Sequence, residues 1–172
     1  MQIKIEDCAP KNIINFYLPQ EIAPAGSFIV AKTSGNTDSL AGRIMNIAGV
    51  ERCLIAPTVV SVKHNGAAED VKLLTMAEID DFCTEGRTTM PENNSLSLTE
   101  QAEALADAFI RPTLNRDNGD IVIHGIVDNV LELSFAGHCA GCPYAQNTLQ
   151  NVVTRAFKRY MPQIKEVHLK EA

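Results

Sequence analysis

The sequence has no apolar run approaching the roughly 20 residues that a membrane-spanning helix needs, so no membrane partner is expected. Positive charge is also scarce: 15 Lys and Arg stand against 21 Asp and Glu, a formal net charge of −6. Phosphate binding requires a concentrated basic surface, and nucleic acid is therefore an unexpected partner. The deficit is even along the chain. Lys and Arg number 8 against 11 acidic residues through residue 90, and 7 against 10 after it. Neither half conceals a basic module. Cysteines are few and odd in number, five in all, and only Cys139 and Cys142 stand close together. That pattern argues against the even-numbered disulfide framework of a small secreted domain. The segment Met1 to Cys8 has no signal-peptide core and is not Arg-rich and acid-poor as a transit peptide is. The cytoplasm is the expected compartment, with a mature mitochondrial matrix form as the alternative.

What is present reads as two halves. The 45% apolar content is ordinary for a folded protein. The stretch Thr84 to Ser97 is poor in apolar residues and holds Gly, Pro, Asn and Ser, the composition of a linker. The expected division is a domain over 1–84, a linker over 85–96 and a domain over 97–172. In the first half, Ile3 and Ile5 alternate as in a strand, and Ser27 to Ala31 and Val59 to Lys63 read as two more. Leu40, Ala41, Ile44 and Ile47 recur at helical spacing behind the capping candidates Thr37 and Ser39, predicting a helix to about Ala48. Thr75-Met-Ala-Glu78 fits a capping box opening a short helix through Ile79 and Phe82.

The pattern of the second half is sharper. Ser97-Leu-Thr-Glu100 is a capping box ahead of Ala102, Leu105, Ala106, Phe109 and Ile110 on one helical face, and Pro112 ends or bends that helix. Asp120 to Val127 and Val130 to Phe135 read as a hairpin turning at Asp128-Asn129. Leu131, Leu133 and Phe135 should face a core, with Glu132 and Ser134 toward water. Pro143 suits the first turn of a helix whose apolar stripe is Leu149, Val152, Val153, Ala156 and Tyr160. Pro162 stops it, and Ile164 to Leu169 closes the fold as a strand. The expected class is α+β, in two small domains, the second a helix, β-hairpin, CxxC loop, helix and closing strand.

Between that hairpin and helix lies Gly137-His-Cys-Ala-Gly-Cys-Pro143. A thiol at the start of a helix meets backbone N–H groups and the positive end of the dipole, which favour thiolate. Thiolate attacks disulfides and also binds soft metals. The location thus explains reactivity and leaves open which reaction: a dithiol oxidoreductase, a metal or cluster site, or two inert loop thiols. The glycines and proline around the pair weigh against the last. The chain has no tryptophan and no Trp-Cys-Gly-Pro-Cys-like segment, which weighs against a thioredoxin-type enzyme. Iron–sulfur clusters and structural zinc typically take four protein ligands, and one chain offers two at usable spacing. Two copies across a two-fold axis would supply the set.

Ile110-Arg-Pro-Thr-Leu-Asn-Arg-Asp-Asn-Gly-Asp-Ile121, Gly137-His-Cys-Ala-Gly-Cys-Pro143 and Thr148-Leu149 together resemble the NifU-like C-terminal domain of Nfu proteins, over roughly Ser97 to Leu169. Pro10-Lys-Asn-Ile-Ile-Asn-Phe16, Ser39-Leu-Ala41, Ile47-Ala-Gly-Val50 and Val59 to Lys63 resemble the N-terminal domain of the same family, over about Ala9 to Phe82. The resemblance implies a non-enzymatic iron–sulfur cluster scaffold or carrier. Cys139 and Cys142 would be the cluster ligands, and Cys8, Cys53 and Cys83 would have no ligand role. It implies a homodimer when loaded, with a 4Fe–4S cluster rather than 2Fe–2S held between subunits. It implies as partners the upstream assembly machinery and apo iron–sulfur clients. A zinc-bridged interaction module is the remaining alternative to the dithiol enzyme. The sequence departs from the family at Asn118-Gly119, where two glycines are usual, at His138, where a small residue is usual, and at Tyr144, often Ser. Asn can adopt the turn that Gly119's partner requires. His138, His64, His124 and His168 are expected on loop, surface or strand, and Asp117 and Asp120 as turn caps or solvated groups.

Overall fold

A computed structural model describes residues 1–8, 11–33, 38–89, 96–138, 140–141 and 143–170, with the side chains of 143–146, 148 and 149 left undescribed. The chain divides into two compact units, Met1–Ser95 and Leu96–Ala172. Both are α+β.

The first unit is a five-stranded antiparallel sheet in the order β1-β2-β5-β4-β3, formed by β1 (Lys4–Cys8), β2 (Ile13–Tyr17), β3 (Ile29–Ala31), β4 (Val50–Ala56) and β5 (Val59–His64). Ile14 pairs with Val62 and Phe16 with Val60, so these four side chains share one face. Cys53 and Ile55 of β4 join them in the core, with Leu40 and Ile44 of α1 (Leu40–Met45) and Val71, Ile79 and Phe82 of α2 (Ala68–Thr84). Ser39 caps α1, accepting from the Gly42 N–H at 3.0 Å; Thr37 lies outside the described residues. The helix stops at Met45, short of the expected Ala48, because the next residues turn and Gly49 takes φ +90°.

Two further expectations are corrected here. Thr75 does not open a helix. It lies inside α2, fully buried, and Thr-x-x-Glu there is a coincidence of spacing. The helix begins at Ala68 without a side-chain cap, and Glu69 and Asp70 in its first turn complement the dipole instead. Strands β2 and β4 are additions to the sequence reading. Cys53 to Ala56 are buried in succession and give no alternation to detect. Thr84 and Glu85, expected to open the linker, finish and cap α2. Residues 90–95 of the expected linker lie outside the described residues.

The second unit follows the predicted order: α3 (Leu98–Phe109), α4 (Arg111–Arg116), β6 (Gly119–Val127), β7 (Val130–Gly137), α5 (Pro143–Tyr160) and β8 (Glu166–Leu169). The capping box at Ser97 and Glu100 is made in both directions. Pro112 sits in the first turn of α4, where its missing N–H costs nothing. Asp128 and Asn129 turn the hairpin at φ 52° and 63°, a pair of left-handed residues suited to a tight two-residue turn. The sheet order is β6-β7-β8, with β8 parallel to β7. Leu131, Leu133 and Phe135 are buried, as are Val153 and Phe157 of α5, and the Phe109 ring stacks on Tyr160 at 4.6 Å.

Here too the pattern misled in places. Ser134 is buried rather than wet, because its hydroxyl meets His124 Nε2 at 2.9 Å. Val152 is 47% exposed, and Phe157, not Val152, continues the buried stripe from Val153. His64 is buried at the end of β5, whereas His124 and His168 are exposed strand residues.

Candidate functional site

Cys139 and Cys142 lie outside the described residues, so the site is built from what surrounds them. Strand β7 ends at Gly137 and α5 opens at Pro143, leaving 138–142 as the strand-to-helix junction. Its near wall is the turn that enters β6. Asn118 takes φ +57°, the left-handed conformation, and Gly119 pairs with Gly137 across the hairpin. The His138 N–H donates to the Asn118 carbonyl at 3.1 Å, and the Ala140 N–H donates to the Gly137 carbonyl at 3.1 Å. His138, Ala140 and Gly141 are exposed, and Gly141 takes φ +83°. Asparagine thus takes a left-handed turn at small steric cost.

Gly137 is the tightest point. A Cβ there would lie 2.3 Å from the Asn118 carbonyl oxygen, in a backbone at φ +64°. Both facts forbid a side chain. Gly137→Ala should destabilise the second unit by about 1–3 kcal/mol through backbone strain alone, and more through the clash. Urea unfolding of the variant checks this; an unchanged midpoint would show that the turn yields freely.

Beneath that turn lies an ionic cluster that the sequence reading passed over. Arg111, only 8% exposed, places Nη1 at 2.8 Å from Glu103 Oε2 and 2.9 Å from Asp107 Oδ1. Its Nε reaches Asp120 Oδ1 at 3.1 Å, and Nη2 donates to the Ile121 carbonyl at 3.1 Å. Burial alone would weaken the guanidinium's hold on its proton. The charges of Asp107 and Glu103 outweigh this and raise its pKa above the ordinary arginine value. Asp120, expected as a turn cap or solvated group, is instead a ligand of Arg111, and it also accepts from the Ile121 N–H at 2.8 Å. The available signal was the four-residue spacing of Glu103, Asp107 and Arg111, the spacing at which opposite charges meet on a helix. One side chain therefore ties α3, the start of α4 and the start of β6 together, next to the turn whose Asn118 carbonyl accepts from the His138 N–H.

The other three thiols are placed differently. Cys53 is fully buried in β4, and burial pushes its thiol from 9.0 up to about 12. Burial also raises Cys83, at the end of α2, and Cys8 is buried at the end of β1. A protonated, enclosed thiol neither binds soft metal nor attacks disulfides well. Among the described residues, no three His, Cys, Asp or Glu side chains are grouped so as to hold a metal ion. No described helix is long and apolar enough to cross a membrane.

The raised thiol also sets an alkaline limit. Tyr17 is raised from 10.0 to about 12 as well, by burial and then by its hydrogen bond to Glu6 Oε2 at 2.9 Å. Both folded values exceed the unfolded ones, so both contributions to stability are complete below the unfolded values. They are lost as the pH climbs from 9 toward 12, where the unfolded chain releases protons that the folded chain retains. The first unit should therefore lose urea resistance across that window, and Cys53→Ala should remove the part that begins lowest. A flat stability profile would contradict the burial of both groups.

Residues 103–168, which include the junction, match the NifU-like domain family. The chain is 29% identical over 140 residues to the human (Homo sapiens) protein named NFU1 iron-sulfur cluster scaffold homolog, mitochondrial, covering 74% of this chain and 55% of that protein. The Drosophila persimilis protein of the same name is 25% identical over 181 residues, covering 97% of this chain and 64% of its own length. The chain spans about half the length of the first curated relatives it matches, 55% and 51% for the human and Drosophila ananassae proteins. A solved structure, protein SAV1430 from Staphylococcus aureus, aligns with 46% of this chain and 99% of its own at 16% identity and a TM-score of 0.40. Part of the second unit, residues 103–168, thus matches the NifU-like domain, and the chain is similar over most of its length to proteins named NFU1 iron-sulfur cluster scaffold homolog.

Proposed function

We propose that this protein is a scaffold or carrier that holds an iron–sulfur cluster through Cys139 and Cys142 and passes it to apo-proteins. The observation that carries the reading is the position of the two cysteines in a junction framed by Gly137 and Pro143, inside the segment that matches the NifU-like domain. The start of a helix is where thiolates are favoured. The remaining cysteines are enclosed or raised in pKa, which leaves this pair as the soft-metal donors. Two thiolates are half of a cluster's usual protein ligand set, so a second copy supplies the others and the cluster, of the 4Fe–4S type, bridges the dimer. A cluster held at such an edge is open to incoming thiolates, which displace Cys139 and Cys142 in turn. No covalent step on a substrate is involved. The human and Drosophila relatives are named as mitochondrial proteins, and the matrix is one compartment where this chain would work, the cytoplasm the other.

Each unit is further proposed to fold alone, with the cluster on the second. The test is anaerobic reconstitution with iron and sulfide of the full chain and of the pieces 1–95 and 96–172. Visible and Mössbauer spectra separate a 4Fe–4S cluster from 2Fe–2S, zinc, or an iron-free dithiol. Cluster uptake by the full chain and by 96–172 is expected, and none by 1–95. Iron uptake by the intact chain alone would mean that the site draws on both units. An iron-free, reversibly oxidised Cys139–Cys142 pair would favour the oxidoreductase.

A further inference from the structure

The first unit carries an opening that neither its core nor the cluster reading uses. Met1 and Ile3 on one side, and Leu73, Met76, Ala77 and Asp80 of α2 on the other, line a groove of about 410 Å³. Residues 73, 76, 77 and 80 form one helical stripe. It is not the stripe that α2 buries, which holds Val71, Thr75, Ile79 and Phe82. The helix is therefore apolar on two sides, and the second side ends in water, with Leu73 58% exposed and Leu74 51%. Adjacent leucines left open beside a groove form a patch rather than scattered exposure.

Beside the groove runs β1, the outermost strand in its sheet, whose outer edge pairs with no strand among the described residues. Ile3 and Ile5 pack toward the first unit's core, on the side where α2 lies. A strand added to β1 would send alternate side chains to that same side. The charge around the opening selects among possible strands. Asp70 opens α2 on one flank of the leucines, and Asp80 and Asp81 lie on the other. Neither Asp70 nor Asp80 has an ion-pair partner among the described residues, whereas Lys72 is already engaged by Glu69 at 2.7 Å and by Asp7 at 3.8 Å.

We propose that this groove docks an extended segment of a partner protein whose α2-facing residues, every second one, are apolar at the centre and lysine or arginine at the ends. The segment pairs with the outer edge of β1, seats its central apolar side chains between Ile3 and Leu73, and sets the cations at the ends of the same face against Asp70 and Asp80. The proposal does not rest on the cluster reading and is tested on the iron-free full chain. The probe is a synthetic peptide of about ten residues, long enough for one strand, with valines flanked by lysines on one face and threonines on the other; the same peptide with glutamate in place of lysine is its opposite. The lysine peptide is expected to shift the amide resonances of β1 and α2, and the glutamate peptide to leave them unmoved. Leu73→Ser and Asp80→Lys, both at open positions, should each weaken binding by about tenfold without changing the circular dichroism. Three results would overturn the proposal: no binding, shifts confined to other surfaces, or full affinity in Leu73→Ser, which would reduce the attraction to net charge. Leu73-dependent self-association of the free chain would also overturn it, by giving the groove to a second copy.

Discussion

Cys139→Ser, and equally Cys142→Ser, should leave the protein unable to retain a cluster after reconstitution, and unable to form the dimer that the cluster holds together. The loss is expected to be near total because the substitution acts twice. Each chain contributes two of the proposed ligands, so removing one thiolate per chain removes half of the set, and serine's hydroxyl is a poor substitute for a soft thiolate. Metal binding and association then share one free energy, since the folded dimer alone offers the complete site. The iron-free wild type should accordingly sediment as a monomer at low micromolar concentration, and the loaded form as a dimer. Cys8, Cys53 and Cys83 should be replaceable with little effect on uptake, since Cys8 and Cys53 are enclosed and burial raises Cys83. In the native protein, Cys53 should also escape alkylation by iodoacetamide until the chain is unfolded, which mass spectrometry can follow. A full cluster in Cys139→Ser would end the ligand assignment. The same oligomer with and without iron would end the bridging geometry while leaving the ligands standing.

How much of this was legible before any coordinates depended on where the physics is local. The capping box at Ser97, the break at Pro112, the left-handed turn at Asp128-Asn129 and the helix start at Pro143 are decided within a few residues, and they stand where the sequence puts them. The first unit was harder because its sheet is buried in places where alternation disappears. Ile13 to Phe16 and Cys53 to Ala56 are buried in succession, so a period of two cannot be read there. Thr75 misled for the converse reason: a local motif fitted, but Val71 and Thr75 already shared the buried face of a longer helix. In the second unit Ser134 was placed in water by alternation alone, and only a side chain ten residues away, His124, makes its burial affordable. The frame of the CxxC segment shows the same division. Gly137, Gly141 and Pro143 announced a tight loop, whereas the contact between Gly137 and Asn118 joins residues far apart in sequence and needed the fold.

Arg111→Ala should destabilise the second unit by about 3–5 kcal/mol, the usual cost of stripping one partner from a buried ionic group. The reason is what remains behind. Asp107 is only 6% exposed and would keep a charge in the interior without its guanidinium, and the Ile121 carbonyl would lose its donor. Glu103 contributes less, because its carboxylate is 36% exposed and water can take over. Against a total stability of about 5–15 kcal/mol for a typical domain, such a loss leaves a unit of this size largely unfolded at moderate urea. Arg111→Lys keeps the charge but not the fork, so it cannot serve Asp107, Asp120 and the carbonyl at once, and should fall between the two. Removing two of the charges together, as in Arg111→Met with Asp107→Leu, should recover part of the loss, since an apolar pair needs no solvation, while Asp120 and the Ile121 carbonyl still lose the guanidinium. The cluster also bears on the site itself. Arg111 fixes Asp120 and Ile121, two and three residues on from Asn118, whose carbonyl receives the His138 N–H. Arg111→Lys should therefore lower cluster uptake with both cysteines intact, in step with its urea midpoint. An unchanged midpoint in Arg111→Ala would mean that the ion pairs are no better than water's solvation of the same charges. Normal uptake in a clearly destabilised Arg111→Lys would show that the loop is held from the α5 side alone.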